Sequence, residues 1–122
     1  MREINFRAYD TETKEMNYDF LDNAWLKVAI YSPYVELMQY TGLKDIDGKE
    51  VYENDIFTVN KSMGEVIYEE DRFRIRWIRN LNEYNEILRN IVHYVGIAVI
   101  GNRFSNPELL EVSTCETDTA KI

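Results

Sequence analysis

The chain of 122 residues carries 22 acidic side chains against 14 Lys and Arg, which gives a formal net charge of −8 and a pI near 4.7. This length fits one domain, and an apolar fraction of 45% predicts a packed core rather than a disordered chain. The longest apolar run, at 95–100, is far shorter than the ~20 residues that cross a bilayer, and no apolar signal segment follows Met1. A single cysteine, Cys115, excludes an internal disulfide and a multi-cysteine zinc site. We therefore expect a globular cytoplasmic protein with no membrane partner.

The first half of the chain shows the two-residue period of β-strands. Apolar and polar residues alternate from Glu3 to Tyr9, with Arg7 on the polar face, which predicts a half-buried strand. Three further extended segments are predicted, at residues 25–31, 37–43 and 56–59. Between them, Ser32-Pro33 is expected to begin a short helical turn. The segment Asp45–Gly48 predicts a turn, because Gly readily adopts a positive φ.

The clearest local signal is a β-hairpin formed by two alternating segments on either side of Glu70-Asp71. An even-length loop pairs the residues of the two strands as follows: Tyr68 with Phe73, Val66 with Ile75, Glu69 with Arg72, and Glu65 with Arg76. One face of the hairpin is then apolar and the other is a cross-strand ladder of opposite charges. Glu-Asp is a poor pair for a type I′ turn, so the pattern defines the register better than the turn type.

The second half of the chain combines one helical period with a final strand. Leu81, Tyr84, Leu88 and Ile91 recur at three- and four-residue steps, which predicts an amphipathic helix over 81–92. Residues 94–104 are typical of a buried strand interrupted at positions 101–102, and residues 106–110 turn back because Pro107 bars a continued ladder. The polar segment 112–122 is expected to form a flexible C-terminal tail.

Catalytic motifs are absent from the sequence. His93 is the only histidine, and no motif supplies the base and orienting group that a catalytic role would need. The favoured interpretation is a packed or surface histidine without a catalytic role, near the end of a helix. Cys115 lies in the polar tail without a rigid supporting shell. No phosphate-binding loop, dinucleotide fingerprint or zinc-protease motif occurs. We predict no catalytic residue, no metal ligand and no cofactor.

The densest acidic cluster surrounds the Asp-Gly turn. Its members are Asp45, Asp47, Glu50, Glu53 and Asp55. The calcium-loop template fails, because Gly48 is the fourth residue from Asp45 and the template requires glycine at the sixth position. A looser carboxylate site for a divalent cation, and with it an unrecognised metal-dependent enzyme, stays open as a minor alternative. A solvated turn that offers an acidic interaction surface is the favoured interpretation.

Charge is unevenly distributed along the chain. Residues 33–70 hold nine acidic side chains and three lysines, whereas residues 71–104 hold six arginines and three acidic side chains. Four of these arginines form a candidate anion or nucleic-acid strip: Arg72, Arg74, Arg76 and Arg79. Two observations weigh against this function, since Glu65 and Glu69 are expected opposite two of the arginines and a net charge of −8 repels a polyanion. We favour internal ion pairing and keep nucleic-acid binding as the alternative.

Four parts of the chain, taken in order, resemble the YopX family, a group of small proteins of phages and prophages. They are REINFRAYD at 2–10, LMQYTGLKD at 37–45, DGKEVYENDI at 47–56, and VIGN with NPELL at 99–102 and 106–110. Asn54 stands where the family usually has Gly, and it preserves a turn because Asn tolerates the left-handed conformation. Arg103-Phe104 stands where the family usually has an apolar residue and a tyrosine.

The resemblance implies a mainly β fold with a small SH3-like barrel built after the Asp-Gly turn. We expect one compact domain over 1–111, with N-terminal strands in 3–43 and the barrel, including the short helix at 81–92, in 44–111. The family carries no established activity and no known catalytic residues, so none is transferred to this chain.

The combined expectation is a phage- or prophage-encoded, non-catalytic interaction protein of the bacterial host cytoplasm. Small barrels expose short edges and loops, which commonly recognise a partner. The partner is expected to be a host or phage protein or a second copy of the chain, because a small domain buries a small fraction of its surface alone.

Overall fold

The computed structural model describes residues 5–18 and 31–111. Its elements are β1 (Phe6–Asp10), β2 (Glu15–Asn17), β3 (Val35–Lys44), β4 (Glu50–Tyr52), β5 (Asp55–Val59), β6 (Ser62–Glu69), β7 (Arg72–Arg79), α1 (Leu88–Tyr94) and β8 (Ala98–Asn102). The strands form two antiparallel sheets, with the orders β2-β1-β3-β4 and β7-β6-β5-β8. One of the two sheets curls into a half-barrel. The predicted mainly β class is confirmed.

The first sheet is built around β1, which pairs with β2 on one side and with β3 on the other. The predicted strand over 3–9 corresponds to β1, and the predicted extended segment 37–43 lies within the longer β3. Tyr9 is buried and stacks on Phe104 with 5.2 Å between the ring centroids. This contact links the first sheet to the chain that follows β8.

The predicted turn at 45–48 is confirmed, and its Asp45 side chain also forms a hydrogen bond to the last strand of the second sheet. The Asp45 carboxylate accepts hydrogen bonds from the backbone N–H groups of Asp47 and Lys49, each at 2.9 Å. Gly48 has a φ of 82°, as expected for the residue that allows this turn. The second oxygen of Asp45 accepts the N–H of Val99 in β8 at 3.0 Å. One side chain thus joins the turn to the last strand of the second sheet.

The β6–β7 hairpin has the predicted register, including the pairs Glu65–Arg76 and Tyr68–Phe73. Glu70 and Asp71 both adopt positive φ values, of 55° and 66°, which is the type I′ region that their residue types disfavour. Gly64 allows close packing in this sheet, because a Cβ atom there would lie 2.7 Å from Ile75 Cγ2.

The main core joins residues of both sheets and two residues of α1. Its buried members are Val51, Phe57, Val59, Val66, Ile75, Leu88, Ile91 and Ile97. They come from β4, β5, β6, β7, α1 and the residue before β8. The helix therefore packs into the same core as strands β4–β7.

The prediction of a helix over 81–92 was wrong in its first half, since α1 begins at Leu88. Residues before it run along the outer edge of β7, where the carbonyl of Glu86 accepts the N–H of Ile75 at 2.9 Å. Asn80 bonds both the N–H and the carbonyl of Tyr84, at 2.9 and 2.8 Å. Asparagine side chains compete with helical hydrogen bonds, and an edge strand needs partners, so the extended path is favoured here.

The predicted strand over 94–104 was too long, because Tyr94 ends α1 and β8 spans Ala98–Asn102. The expected interruption at 101–102 is instead a bulge at Ile100, since Val99 and Gly101 pair with the consecutive residues Phe57 and Ile56. Residues 106–110 turn back as expected, and positions 108–111 are helical.

The remaining expectations at the chain's N-terminal third and C-terminus have different outcomes. The expected turn at Ser32-Pro33 is present as a single turn: the Ser32 hydroxyl accepts the N–H of Tyr34 at 3.2 Å and its carbonyl accepts the N–H of Val35 at 3.4 Å, after which the chain enters β3. The predicted strand over 25–31 lies outside the described residues except for Tyr31, and Cys115 and the tail at 112–122 lie outside them entirely. Within the described ranges, no helix is long and apolar enough to cross a membrane.

Candidate functional site

Arg74 of the predicted arginine strip is engaged by three carboxylates. Its guanidinium lies 3.1 Å from Glu70 and 3.1 Å from Glu86, with Glu69 at 3.7 Å. Glu86 reaches this position because the segment before α1 follows the outer edge of β7. The positive charge of Arg74 is therefore balanced within the fold.

Arg76 shares its carboxylate partner, Glu65, with Arg103. Glu65 is fully buried and lies 2.5 Å from Arg76, while the two hydrogen bonds from Arg103 measure 2.6 and 3.0 Å. Burial alone would raise the pKa of Glu65, but the hydrogen bonds and charges of Arg103 and Arg76 outweigh it and lower this pKa. The pairing of Glu65 with Arg76 follows the predicted register, whereas Arg103 was not expected to take part.

The two remaining arginines of the strip, Arg79 and Arg72, differ from each other. Arg79 donates from Nε to the carbonyl of Lys61 at 2.9 Å. Arg72 is exposed, and although its Cα faces that of Glu69, its side chain has no ion-pair partner among the described residues. Three of the four candidate strip residues thus have partners in the fold.

The predicted acidic cluster does not form one surface. Asp45 and Asp55 are buried, Glu50 and Glu53 are partly buried, and only Asp47 is exposed. Burial tends to raise the pKa of Asp45, but its three backbone N–H donors outweigh burial and lower this pKa. Within residues 5–18 and 31–111, no group of three His, Cys, Asp or Glu side chains is arranged to hold a metal ion. Asp45 and Asp55 instead accept backbone N–H groups at the two ends of β4.

Arg7 was predicted on the polar face of its strand, and the structure buries it. Its guanidinium lies 2.8 Å from Asp55, and both side chains are 2% exposed. It also donates to the carbonyl of Glu53 at 3.1 Å and lies 4.8 Å from the ring centroid of Tyr52. Burial raises the pKa of Asp55 despite the nearby guanidinium. The one sequence signal for burial was Tyr9, which shares this face of the strand and is also covered.

A groove of about 650 Å³ lies between β3, the tip of the β6–β7 hairpin and the start of α1. We call it the hairpin groove. Its lining residues are Gln39, Thr41, Leu43, Tyr68, Asp71, Arg72, Phe73, Ile87, Leu88 and Arg89. This groove was not predicted, because its three walls are distant in the sequence.

The hairpin groove has an unusual electrostatic character for this molecule. Arg72 and Arg89 are both exposed, and neither has an ion pair or hydrogen bond to another described residue. The only acidic lining residue is Asp71. Tyr68 and Ile87 are 50% and 46% exposed, so apolar surface lies beside the two guanidinium groups. The groove therefore combines free cationic donors with accessible apolar side chains.

His93 lies in the last turn of α1 and is exposed, which confirms its predicted place near the end of a helix. Its ring contacts that of Tyr94 edge-on, with 4.8 Å between the centroids. A small cavity of about 150 Å³ beside it is lined by Arg89, Asn90, His93 and Tyr94. This lining contains no carboxylate and no hydroxyl or thiol nucleophile apart from the phenol of Tyr94.

These features define a small, mainly β protein that has an arginine-flanked groove. The model of the YopX protein family matches residues 20–111, which is most of the chain. The chain therefore belongs to the YopX family, as its sequence segments predicted. The crystal structure of protein EF1440 from Enterococcus faecalis is similar, with a TM-score of 0.64 and 27% identity over 90% of this chain and 99% of that one. A search of curated proteins gave no match.

Proposed function

We propose that this YopX protein is a phage- or prophage-encoded, non-catalytic binding module of the bacterial cytoplasm, which recognises a partner protein through the hairpin groove. The supporting observation is the pair of arginines, Arg72 and Arg89, that line this groove without partners in the described structure.

The contrast with the other described arginines supports this assignment. Of these five, Arg7, Arg74, Arg76 and Arg103 each pair with a carboxylate inside the fold, and Arg79 donates to the carbonyl of Lys61. Free guanidinium groups beside exposed aromatic and aliphatic side chains are characteristic of the residues that dominate binding at protein interfaces.

The composition of the hairpin groove favours binding over catalysis. Its volume of about 650 Å³ falls in the usual range for binding sites. Its lining contains no histidine or cysteine, and Asp71 is its only carboxylate. An acid–base pair, or a nucleophile with its base, would need further residues from outside the groove.

Affinity purification from a bacterial lysate, with crosslinking, tests this function. We expect the native chain to capture a defined protein. The variant Arg72→Gln/Arg89→Gln should capture about tenfold less of that protein, because two charge-assisted contacts are removed. Lys61→Gln is the matched control, since it removes one exposed positive charge at the opposite end of β6. Equal capture by all three proteins, or no capture at any salt concentration, would contradict the proposal.

The nucleic-acid alternative has weaker support, because Arg74 and Arg76 of the candidate strip already pair with carboxylates. A mobility-shift assay at low salt checks it directly: binding that falls steeply with salt and with replacement of Arg72 would favour it. No group of described side chains supports the metal-dependent alternative.

A further inference from the structure

We propose that the hairpin groove binds an acidic peptide segment of the partner, with carboxylates contacting Arg72 and Arg89 and an apolar side chain covering Tyr68 and Ile87. This inference rests on the proposed function and adds the chemistry of the partner.

Charge complementarity is the first argument. The chain carries a net charge of −8, but the charged lining of the hairpin groove comprises two arginines and one aspartate. The groove therefore has the opposite sign to the molecule as a whole. Guanidinium groups bind carboxylates in a planar, two-point geometry, so the free pair selects acidic side chains over basic ones.

Apolar surface in the hairpin groove is the second argument. Tyr68 is held by an edge-on contact with Phe73, with 5.0 Å between the ring centroids, yet it is half exposed. Leu88 lies fully buried in the lining, while its neighbour Ile87 is accessible. An apolar side chain seated here would remove water from Tyr68 and Ile87 and add to the charged contacts.

The third argument is that both arginines extend from well-anchored backbone. Arg72 is the first residue of β7, directly after the tight turn, and its strand pairs with β6 along its whole length. Arg89 follows Leu88, whose side chain belongs to the main core. A fixed backbone lowers the entropic cost of placing the two guanidinium groups on a ligand.

The arrangement suits discrete carboxylates better than a nucleic-acid backbone. The arginines that would continue a positive track from Arg72 along β7 are Arg74 and Arg76, and both are paired with glutamates. A continuous phosphate chain needs successive free cations, whereas a short acidic peptide needs only the two in the groove.

Fluorescence polarisation with short synthetic peptides tests the inference. The probe is a labelled peptide with glutamates on both sides of a central leucine-phenylalanine pair, and the comparison peptides replace the glutamates by glutamine or the apolar pair by alanine. We expect at least about tenfold weaker binding of the glutamine peptide, and similar losses for Arg72→Gln and Arg89→Gln, because each change removes a charge-assisted hydrogen bond. Lys61→Gln should bind like the native chain, and thermal unfolding should show that every variant is folded.

Each other outcome has a defined meaning. Equal binding of the acidic and glutamine peptides, or no binding of either, overturns the acidic-peptide inference, while arginine-dependent capture from the lysate would still support the binding module. Tighter binding of a single-stranded oligonucleotide, lost in the same arginine variants, overturns it in favour of nucleic acid. Self-association that disappears in Arg72→Gln/Arg89→Gln overturns it in favour of a second copy as the occupant.

Discussion

Arg7 and Asp55 form a buried ion pair that joins the two sheets, because Arg7 lies in β1 and Asp55 begins β5. Removing one partner of such a pair leaves an uncompensated charge in a dry environment. The neutral replacement Asp55→Asn keeps an acceptor for the N–H of Tyr52, which Asp55 binds at 2.8 Å, so the charge is the main loss.

We expect Asp55→Asn to lower the free energy of unfolding by about 3–5 kcal/mol, measured by urea denaturation at neutral pH. Glu69→Gln is the control, because this carboxylate is 60% exposed and lies 3.7 Å from Arg74. Its loss should cost less than about 1 kcal/mol. Equally small losses in both variants would mean that Arg7 finds another partner or reaches water.

Glu65 makes stability depend on pH in a defined direction. Its pKa is lowered in the folded protein, so the unfolded chain binds its proton first as the pH falls. The stabilisation by Glu65 is fully present above the ordinary carboxyl pKa of about 4.3 and is lost as the pH falls through the lower folded-state pKa. Asp45 acts in the same direction, whereas Glu53, with a raised pKa, acts in the opposite one.

The variant Glu65→Gln should therefore be less stable than the native chain at pH 7. Between pH 5 and pH 3 its free energy of unfolding should fall less than that of the native chain, because it has no carboxylate with a lowered pKa to protonate. Unfolding curves at a series of pH values measure this difference. Parallel pH profiles for the two proteins would show that Arg76 and Arg103 do not hold the carboxylate charged.

At the scale of elements, the hairpin turn carries local strain that the rest of the sheet tolerates. Glu70 and Asp71 adopt the left-handed conformation, which costs a non-glycine residue about 1 kcal/mol. We expect Asp71→Gly to raise the free energy of unfolding by about 0.5–1 kcal/mol, as measured in urea. Gly48→Ala is the opposing control, since a φ of 82° should make alanine destabilising there. A loss of stability in Asp71→Gly would show that the Asp71 side chain makes a stabilising contact.

The start of α1 can be tested by two leucines that share one predicted helix face. Leu88 is fully buried, whereas Leu81 is 58% exposed because residues before α1 are not helical. Leu88→Ala should cost about 2–5 kcal/mol, and Leu81→Ala less than about 0.5 kcal/mol, in urea unfolding. Similar large losses would instead indicate the longer helix.

For the whole molecule, the formal net charge is −8, and most described arginines are paired with carboxylates inside the fold. Excess negative charge keeps copies of the chain apart, and dissolved salt screens that repulsion. If a second copy of the chain is the partner, the alternative expected from the sequence, self-association should therefore increase as the salt concentration rises, which sedimentation velocity measures. Acidic-peptide binding at the hairpin groove should weaken under the same change. A chain that stays monomeric at high protein and salt concentrations would contradict self-association.

Local patterns were sufficient for the elements whose partners are close in the chain. The β6–β7 register follows from two alternating segments separated by two residues, and the Asp45 turn follows from an Asp-Gly sequence. Membership of the YopX family was predicted from short sequence segments that occur in the same order as in the family. The boundary of α1 did not, because a three- and four-residue apolar period continues through the preceding residues, and only the edge of β7 draws them into an extended path.

The amino-acid sequence by itself determined the β class, the hairpin register, the turn and membership of the YopX family, since these depend on neighbours in the chain. Only the tertiary structure decided which charges are neutralised: Arg103 reaches Glu65 across 38 positions, and Arg7 meets Asp55 between different sheets. The sequence shows which charged residues could pair, but the fold determines which of them lie close enough, and are buried enough, to form ion pairs. Among the described residues, this pairing left Arg72 and Arg89 without a charged partner in the hairpin groove, where we propose that a partner's carboxylates bind.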